Sequence, residues 1–169
     1  EFVENPKHLF KYLAELRVQQ RKLSRMKKGS KNWNKQLIVV QRLYLKVKRC
    51  RLDFLQKQST LLSNNYETVI VEDLNIKGMS KNKRLSKHIL DCGWGTFFSL
   101  LEYKTNVIKV SPRYSSQECS KCGHTCKENR PTQSLFECIK CGFIENADKN
   151  ATLNLFQRGQ SLMEANVNQ

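Results

Sequence analysis

Acidic side chains are scarce in this 169-residue chain, where 15 Asp and Glu stand against 30 Lys and Arg for a formal charge of +15. That imbalance points away from a cationic or neutral partner and toward a polyanion, nucleic acid above all. No apolar run approaches the roughly 18 residues of a membrane-spanning helix, and the N-terminus lacks the apolar core of a secretory signal. The expectation is a soluble, intracellular protein with no membrane partner, cytoplasmic and nucleoid-associated. Low-complexity segments are absent, and so are internal repeats apart from two cysteine turns. The length leaves room for one ordinary domain and a small appended module. The chain opens on Glu1 rather than Met, which leads to the expectation of a portion upstream.

The charge is unevenly spread. Residues 1–65 hold 16 basic and four acidic residues, so +12 of the +15 lies there, as in a basic arm or face. Within it, Asn5 and Pro6 make a helix start, and Leu9, Leu13, Leu16, Leu23 and Met26 recur at helical spacing until KKGSKN. A second helix is expected from about Asn32 to about Ser63, carried by Leu37, Val40, Tyr44, Val47, Phe54 and Leu61. The two should fold back as an antiparallel hairpin over 5–65. Arg21, Lys22, Arg25, Lys27 and Lys28 are its candidate nucleic-acid contacts, although helical spacing spreads them over more than one face.

Residues 66–113 read as strand, helix, strand. Thr68 to Val71 is a short β-branched run bounded by turn residues, as in a buried strand. RLSKHILDCGWGTFFSLLEYK is helical with an interruption at Gly93 and Gly95, and NVIKVSP is a second strand closed by Pro112. A cysteine module spans 114–146, a short helix follows from Asp148 to Phe156 within a last element at 147–158, and 159–169 is a tail.

Seven cysteines make an odd count, and four of them form CSKCGH (Cys119, Cys122) and CIKCGF (Cys138, Cys141). In an intracellular basic protein two CxxC pairs fifteen residues apart favour metal over disulfides, four thiolates being the ligand set of a tetrahedral, structural zinc. Gly123 and Gly142 follow the second cysteine of each pair, where a tight turn lets amides face the sulfurs. His124 and Cys126 read as bystanders to a complete site. Cys50 and Cys92 read as small buried apolar residues.

Two acids stand apart from the metal module. Glu72 ends the apolar run TVIV and would project from the carboxyl end of a strand, where open α/β sheets place their chemistry. Asp73 beside it should face the other way or into the turn. Asp148 lies just beyond the cysteine module, as it would if that module were inserted between a strand and a helix of a larger fold. Taken singly, Asp148 is more often a helix cap and Glu72 a solvated strand end.

Six segments in order, NPKHLFKYLAELRVQQRKLSRMKKGSKN, VIVEDLNIKGM, WGTFFSLLEYK, VSPRYSSQECSKCGH, FECIKCGF and ADKNATLNL, together resemble the C-terminal half of the OrfB/TnpB transposon-encoded nucleases. Those are relatives of the compact type V CRISPR effectors and of the RuvC nucleases of the RNase H-like fold. The resemblance runs from about Asn5 to about Arg158. It implies an α/β chain, a partial RNase H-like (RuvC) fold with a long helical hairpin and an inserted four-cysteine zinc ribbon. It further implies an RNA-guided DNA endonuclease, with DNA and guide RNA as partners, in which a carboxylate triad holds two Mg2+ or Mn2+ ions. The second carboxylate maps onto Glu72, the third onto Asp148, and the ribbon ligands onto Cys119, Cys122, Cys138 and Cys141. Asn150 and Asn154, one helical turn apart, would orient Asp148 or contact backbone.

Two metal ions about 4 Å apart need several hard carboxylates, and Glu72 and Asp148 would be two of them. The family's first catalytic Asp lies on a strand upstream of the hairpin; nothing before Asn5 supplies it, and Asp53 on the second helix is no substitute. The N-terminal portion that carries much of the guide and target recognition is also absent, and the connection from LEYK to VIKV is short for the family. The expectation is therefore a catalytically incomplete remnant, inactive alone. A non-catalytic zinc-ribbon nucleic-acid-binding protein is the alternative, and a structural protein whose hairpin pairs with another chain is a third class.

Overall fold

The computed structural model describes residues 3–167, so the last two residues of the tail lie outside it. Contacts divide the chain into two compact units, one of residues 1–65 and 75–104, the other of 66–74 and 105–169.

The first unit is helical. Helices α1 (His8–Ser24) and α2 (Lys31–Asn65) form the hairpin, its antiparallel sense fixed by pairs that run opposite ways along the two helices. Gln36 Nε2 donates to Gln19 Oε1 at 2.9 Å near the turn, Lys46 Nζ lies 4.8 Å from the Tyr12 ring centroid, and His8 meets Phe54 edge-on. Leu16, Val40, Val47 and Leu55 are the buried apolar residues of the pair. Short helices α3 (Ile76–Met79) and α4 (Ser86–Cys92) and helix α5 (Trp94–Glu102) complete the unit. The helical stretch breaks at Gly93 alone, in the left-handed conformation, and Gly95 stays inside α5.

Asp91 of α4 caps α1 from 82 residues away. Both its carboxylate oxygens accept the Leu9 amide at 3.1 Å, and it takes Arg51 Nη2 at 2.5 Å with its side chain fully buried. An anion at a helix N-terminus satisfies otherwise orphaned amides. Here the only local cap, Lys7, offers no side-chain acceptor. Lys104, just past α5, similarly ties itself to α2 by donating to Gln56 Oε1 (2.8 Å), Ser59 Oγ (2.7 Å) and Thr60 Oγ1 (2.9 Å). Cys50 and Cys92 are half-buried rather than core residues. The Cys92 sulfur accepts Asn5 Nδ2 at 3.1 Å, a polar role that an apolar reading of the residue leaves out.

The second unit is built on two parallel strands, β1 (Thr68–Glu72) and β2 (Asn106–Val110), in register from Thr68 opposite Asn106 to Glu72 opposite Val110. The chain then makes an antiparallel pair, β3 (Leu135–Glu137) with β4 (Ile144–Asn146), and enters helix α6 (Ala147–Val167). α6 is longer than the expected Asp148–Phe156, continuing as helix to Val167. It lies on β1 so closely that a Cβ at Gly159 would collide with the Ile70 side chain. Glycine at this helix-interior position is the condition for that approach. The mixed α/β architecture, with its long hairpin and inserted four-cysteine ribbon, is the partial RuvC-like fold expected from the sequence.

Candidate functional site

The cysteine ribbon is made of two like turns. Gly123 donates to the Cys119 carbonyl at 2.8 Å and Gly142 to the Cys138 carbonyl at 2.9 Å, both glycines left-handed at φ 71° and 69°. The Cys119 amide returns to the His124 carbonyl at 3.0 Å and the Cys138 amide to Phe143 at 2.8 Å. The two turns bring Cys119, Cys122, Cys138 and Cys141 together with all four sulfurs within 4.8 Å of one another. The Cys119–Cys141 and Cys122–Cys138 separations are 3.7 Å. A tetrahedron with metal–sulfur bonds of about 2.3 Å has edges of about 3.8 Å, so the residues present fit a zinc ion.

Burial pushes the Cys119 thiol up to about 12 against the amides of Cys122 and Lys121 that face its sulfur. At Cys138 desolvation pulls the same way, but the amides of Cys141 and Lys140 and the neighbouring thiols prevail and bring it down to about 7. His124 and Cys126 are outside the four-sulfur group. Cys126 instead donates to Glu128 Oε2 at 2.6 Å.

Buried asparagines hold this ribbon. Asn129, fully buried, donates to the Gln117 and His124 carbonyls at 2.9 and 3.0 Å and accepts the Ile139 amide at 3.1 Å, joining both turns. Asn150 of α6 accepts the Ser120 amide at 3.1 Å and donates to the Glu118 carbonyl at 2.8 Å. Asn154 donates to the Ser115 and Glu118 carbonyls at 2.8 and 2.7 Å. Of the two roles open to Asn150 and Asn154, their hydrogen bonds are those of backbone contact. Ala147, the first residue of α6, is buried in one cluster with Cys119, Phe136 and Cys138.

Glu72 closes β1, half-buried, while Asp73 is exposed and its amide bonds the Val110 carbonyl at 2.8 Å. Asp148 is the second residue of α6 and is not its cap. That role belongs to Asn146, whose Oδ1 accepts the Asp148 and Lys149 amides at 3.0 and 3.2 Å. Freed of capping, the Asp148 side chain is 90% exposed, with Arg130 Nη2 at 3.8 Å. Among the described residues, neither acid belongs to a group of three or more His, Cys, Asp or Glu with converging ligand atoms, as the cysteines do. Asp53 is exposed and paired with Lys57 at 2.7 Å. Arg21, Lys22, Arg25, Lys27 and Lys28 are all exposed around the turn of the hairpin.

Sequence reasoning missed Asn129, Asn146, Arg158 and Asp91. An Asn directly before the helix pattern ADKNATL was a readable N-cap signal. The other three act on distant backbone, Asp91 on the Leu9 amide, Asn129 on the Gln117 carbonyl and Arg158 on the Ser111 and Arg113 carbonyls, and leave no local pattern.

Comparison with known proteins agrees along the chain. The family OrfB_IS605, described as a probable transposase, matches residues 1–83, and the Cas12f1-like TNB domain matches residues 94–155. "Putative RNA-guided DNA endonuclease InsQ" of Escherichia coli K12 is 39% identical over 90% of this chain and 42% of its own length. A "Putative RNA-guided DNA endonuclease" of Streptomyces pristinaespiralis is 35% identical over 94% of this chain and 41% of its own. The cryo-EM structure of a CRISPR-Cas12f ternary complex aligns at TM-score 0.52 and 28% identity, over 87% of this chain and 32% of that one. The chain thus spans about two-fifths of the length of these curated relatives.

Proposed function

The chain belongs to the OrfB/TnpB family, and on that premise we propose that it is the carboxyl-terminal portion of an RNA-guided, metal-dependent DNA endonuclease. One observation carries the reading. Glu72 ends β1, Asp148 opens the helix that lies on β1, and the ribbon is inserted between β2 and that helix, all in one compact unit.

In this reading Cys119, Cys122, Cys138 and Cys141 hold a structural zinc whose role is to fold the insertion. Glu72 and Asp148 offer hard carboxylate oxygens to Mg2+ or Mn2+, which when bound supplies an activated water and a stabilised leaving oxygen. Two carboxylates are too few for two such ions. No cleavage step is therefore assigned to these 169 residues on their own; a third carboxylate completes the set.

The two units divide the labour by charge. Residues 1–65 and 75–104 hold 22 basic and six acidic residues, +16, whereas the unit with the ribbon and both acids holds eight and nine, −1. Phosphate affinity then resides in the helical unit, with Arg21, Lys22, Arg25, Lys27 and Lys28 among its contacts. The alternative, a zinc-ribbon protein that binds nucleic acid without cutting it, is favoured by the Arg130 guanidinium beside Asp148, which competes with a cation for that carboxylate. Metal-dependent cleavage of DNA by the chain joined to the upstream strands of an intact relative, lost on Glu72→Gln and on Asp148→Asn, separates the two.

A further inference from the structure

Tyr114 follows β2 by four residues with a left-handed backbone, φ 60°. For a bulky L-residue that is a true outlier, maintained only where the surroundings over-determine it. Arg158 reaches from α6 to donate through Nη1 to the Ser111 and Arg113 carbonyls at 2.7 and 2.9 Å, and through Nη2 to Glu118 at 2.5 Å. Beyond the strained residue, its own carbonyl accepts the Gln117 and Glu118 amides, each at 2.9 Å. The Ser115 carbonyl is held by Asn154.

These contacts hold the backbone on both sides of a residue whose side chain contributes little to the core. Tyr114 is 50% exposed. The exposed Arg113 lies over its ring, with the guanidinium carbon 4.9 Å from the centroid and Nη2 3.2 Å from the hydroxyl. The pair stands past the carboxyl end of β2, whose last residue, Val110, is in register with Glu72. Strain, rigid anchoring and exposure together describe a ring presented to a ligand.

We propose that Tyr114 and Arg113 form a stacking platform for one unpaired base of a single-stranded nucleic acid, with Arg113 donating to its phosphate. A ring face accepts any base, and an arginine beside it adds cation–π and phosphate contacts. The assignment rests on the nucleic-acid reading above, and a displaced DNA strand and a guide RNA share the chemistry.

The test is binding of the zinc-loaded chain, without added magnesium, to short fluorescent single-stranded DNA, single-stranded RNA and duplex DNA. Tyr114→Gly is expected to weaken single-strand binding about 5-fold or more and to leave duplex binding unchanged. Whichever single strand loses more identifies the occupant. Tyr114→Phe should keep the affinity. The thermal midpoint of Tyr114→Gly should hold or rise, because glycine adopts φ 60° without strain; a structural tyrosine would lose stability together with affinity. Wild-type binding that is indifferent to Tyr114→Gly, or equal losses on duplex and single strands, would overturn this proposal alone. Absence of any wild-type binding would overturn it together with the reading it rests on.

Discussion

Asn150 Oδ1 accepts the Ser120 amide at 3.1 Å, so a buried residue of the last helix holds the turn that carries the first two cysteines. Its Nδ2 goes to the Glu118 carbonyl one residue before them. Asn150→Ala leaves the Ser120 amide without its partner, at a cost of about 1–3 kcal/mol if water cannot enter, while the Glu118 carbonyl keeps the Asn154 side-chain amide. A lower thermal midpoint and faster loss of zinc to a chelator are expected. Zinc retention equal to wild type would show that the ribbon holds itself without α6.

Zinc content should be one per chain by metal analysis of purified protein, and Cys138→Ser should reduce it. Affinity should also depend steeply on pH. Cys119, pushed up to about 12, keeps its proton throughout the neutral range, and Cys138, at about 7, regains its own in mild acid. Zinc must displace these protons, so affinity rises with pH and is lost as pH falls. From pH 8 to pH 6 a decrease of at least about 100-fold follows from one fully protonated ligand alone, and competition with a chromogenic chelator measures it. A flat profile would mean that the thiols are not the ligands.

Binding to DNA or RNA should weaken as salt rises. Changing Arg21, Lys22, Arg25, Lys27 and Lys28 to Gln should lower the log–log salt slope by roughly 0.7–0.9 for each residue that touches a phosphate. Because the helical unit carries +16, this component should survive zinc removal. An unchanged slope in the five-fold variant would exclude the turn of the hairpin as the binding surface.

His8 Nε2 is buried with no hydrogen-bond partner among the described residues. Desolvation, with Lys11 and Arg51 adding to it, holds its pKa below the ordinary 6.5. The folded state therefore binds the proton less readily than the unfolded chain, and stability is full above about 6.5 and declines as pH falls below it. His8→Leu should flatten the difference in urea midpoint between pH 8 and pH 5. Equal pH dependence in the two proteins would assign the acid sensitivity to other groups.

The hairpin was legible because apolar residues recur at helical spacing along both helices, although only part of that pattern is buried. Leu16, Val40 and Val47 are, joined by Leu55, which the pattern did not include, while Met26, Tyr44 and Leu61 are exposed. The ribbon was legible because CxxCG twice in one chain has few other uses. What lay hidden was everything held by single long-range polar contacts: Asp91 on the Leu9 amide, Asn129 between the two cysteine turns, Arg158 on Ser111 and Arg113. Such contacts join one side chain to backbone far off in sequence, and neither periodicity nor propensity records them. Asp148 illustrates the limit. Its neighbourhood suggested a cap, yet Asn146 two residues earlier satisfies the helix amides and leaves the carboxylate outward.

The most direct measurement of the central claim is DNA cleavage in Mg2+ or Mn2+ by two proteins side by side, these 169 residues alone and the same residues extended with the upstream strands of an intact relative. On the proposed assignment, in which Glu72 and Asp148 are two members of a larger carboxylate set, the shorter protein should cut slower by roughly 10³-fold or more. The extended protein should cut, and lose that activity on Glu72→Gln and on Asp148→Asn. Robust cutting by the 169 residues alone, or cutting by the extended protein that survives either substitution, would contradict the assignment of these two carboxylates.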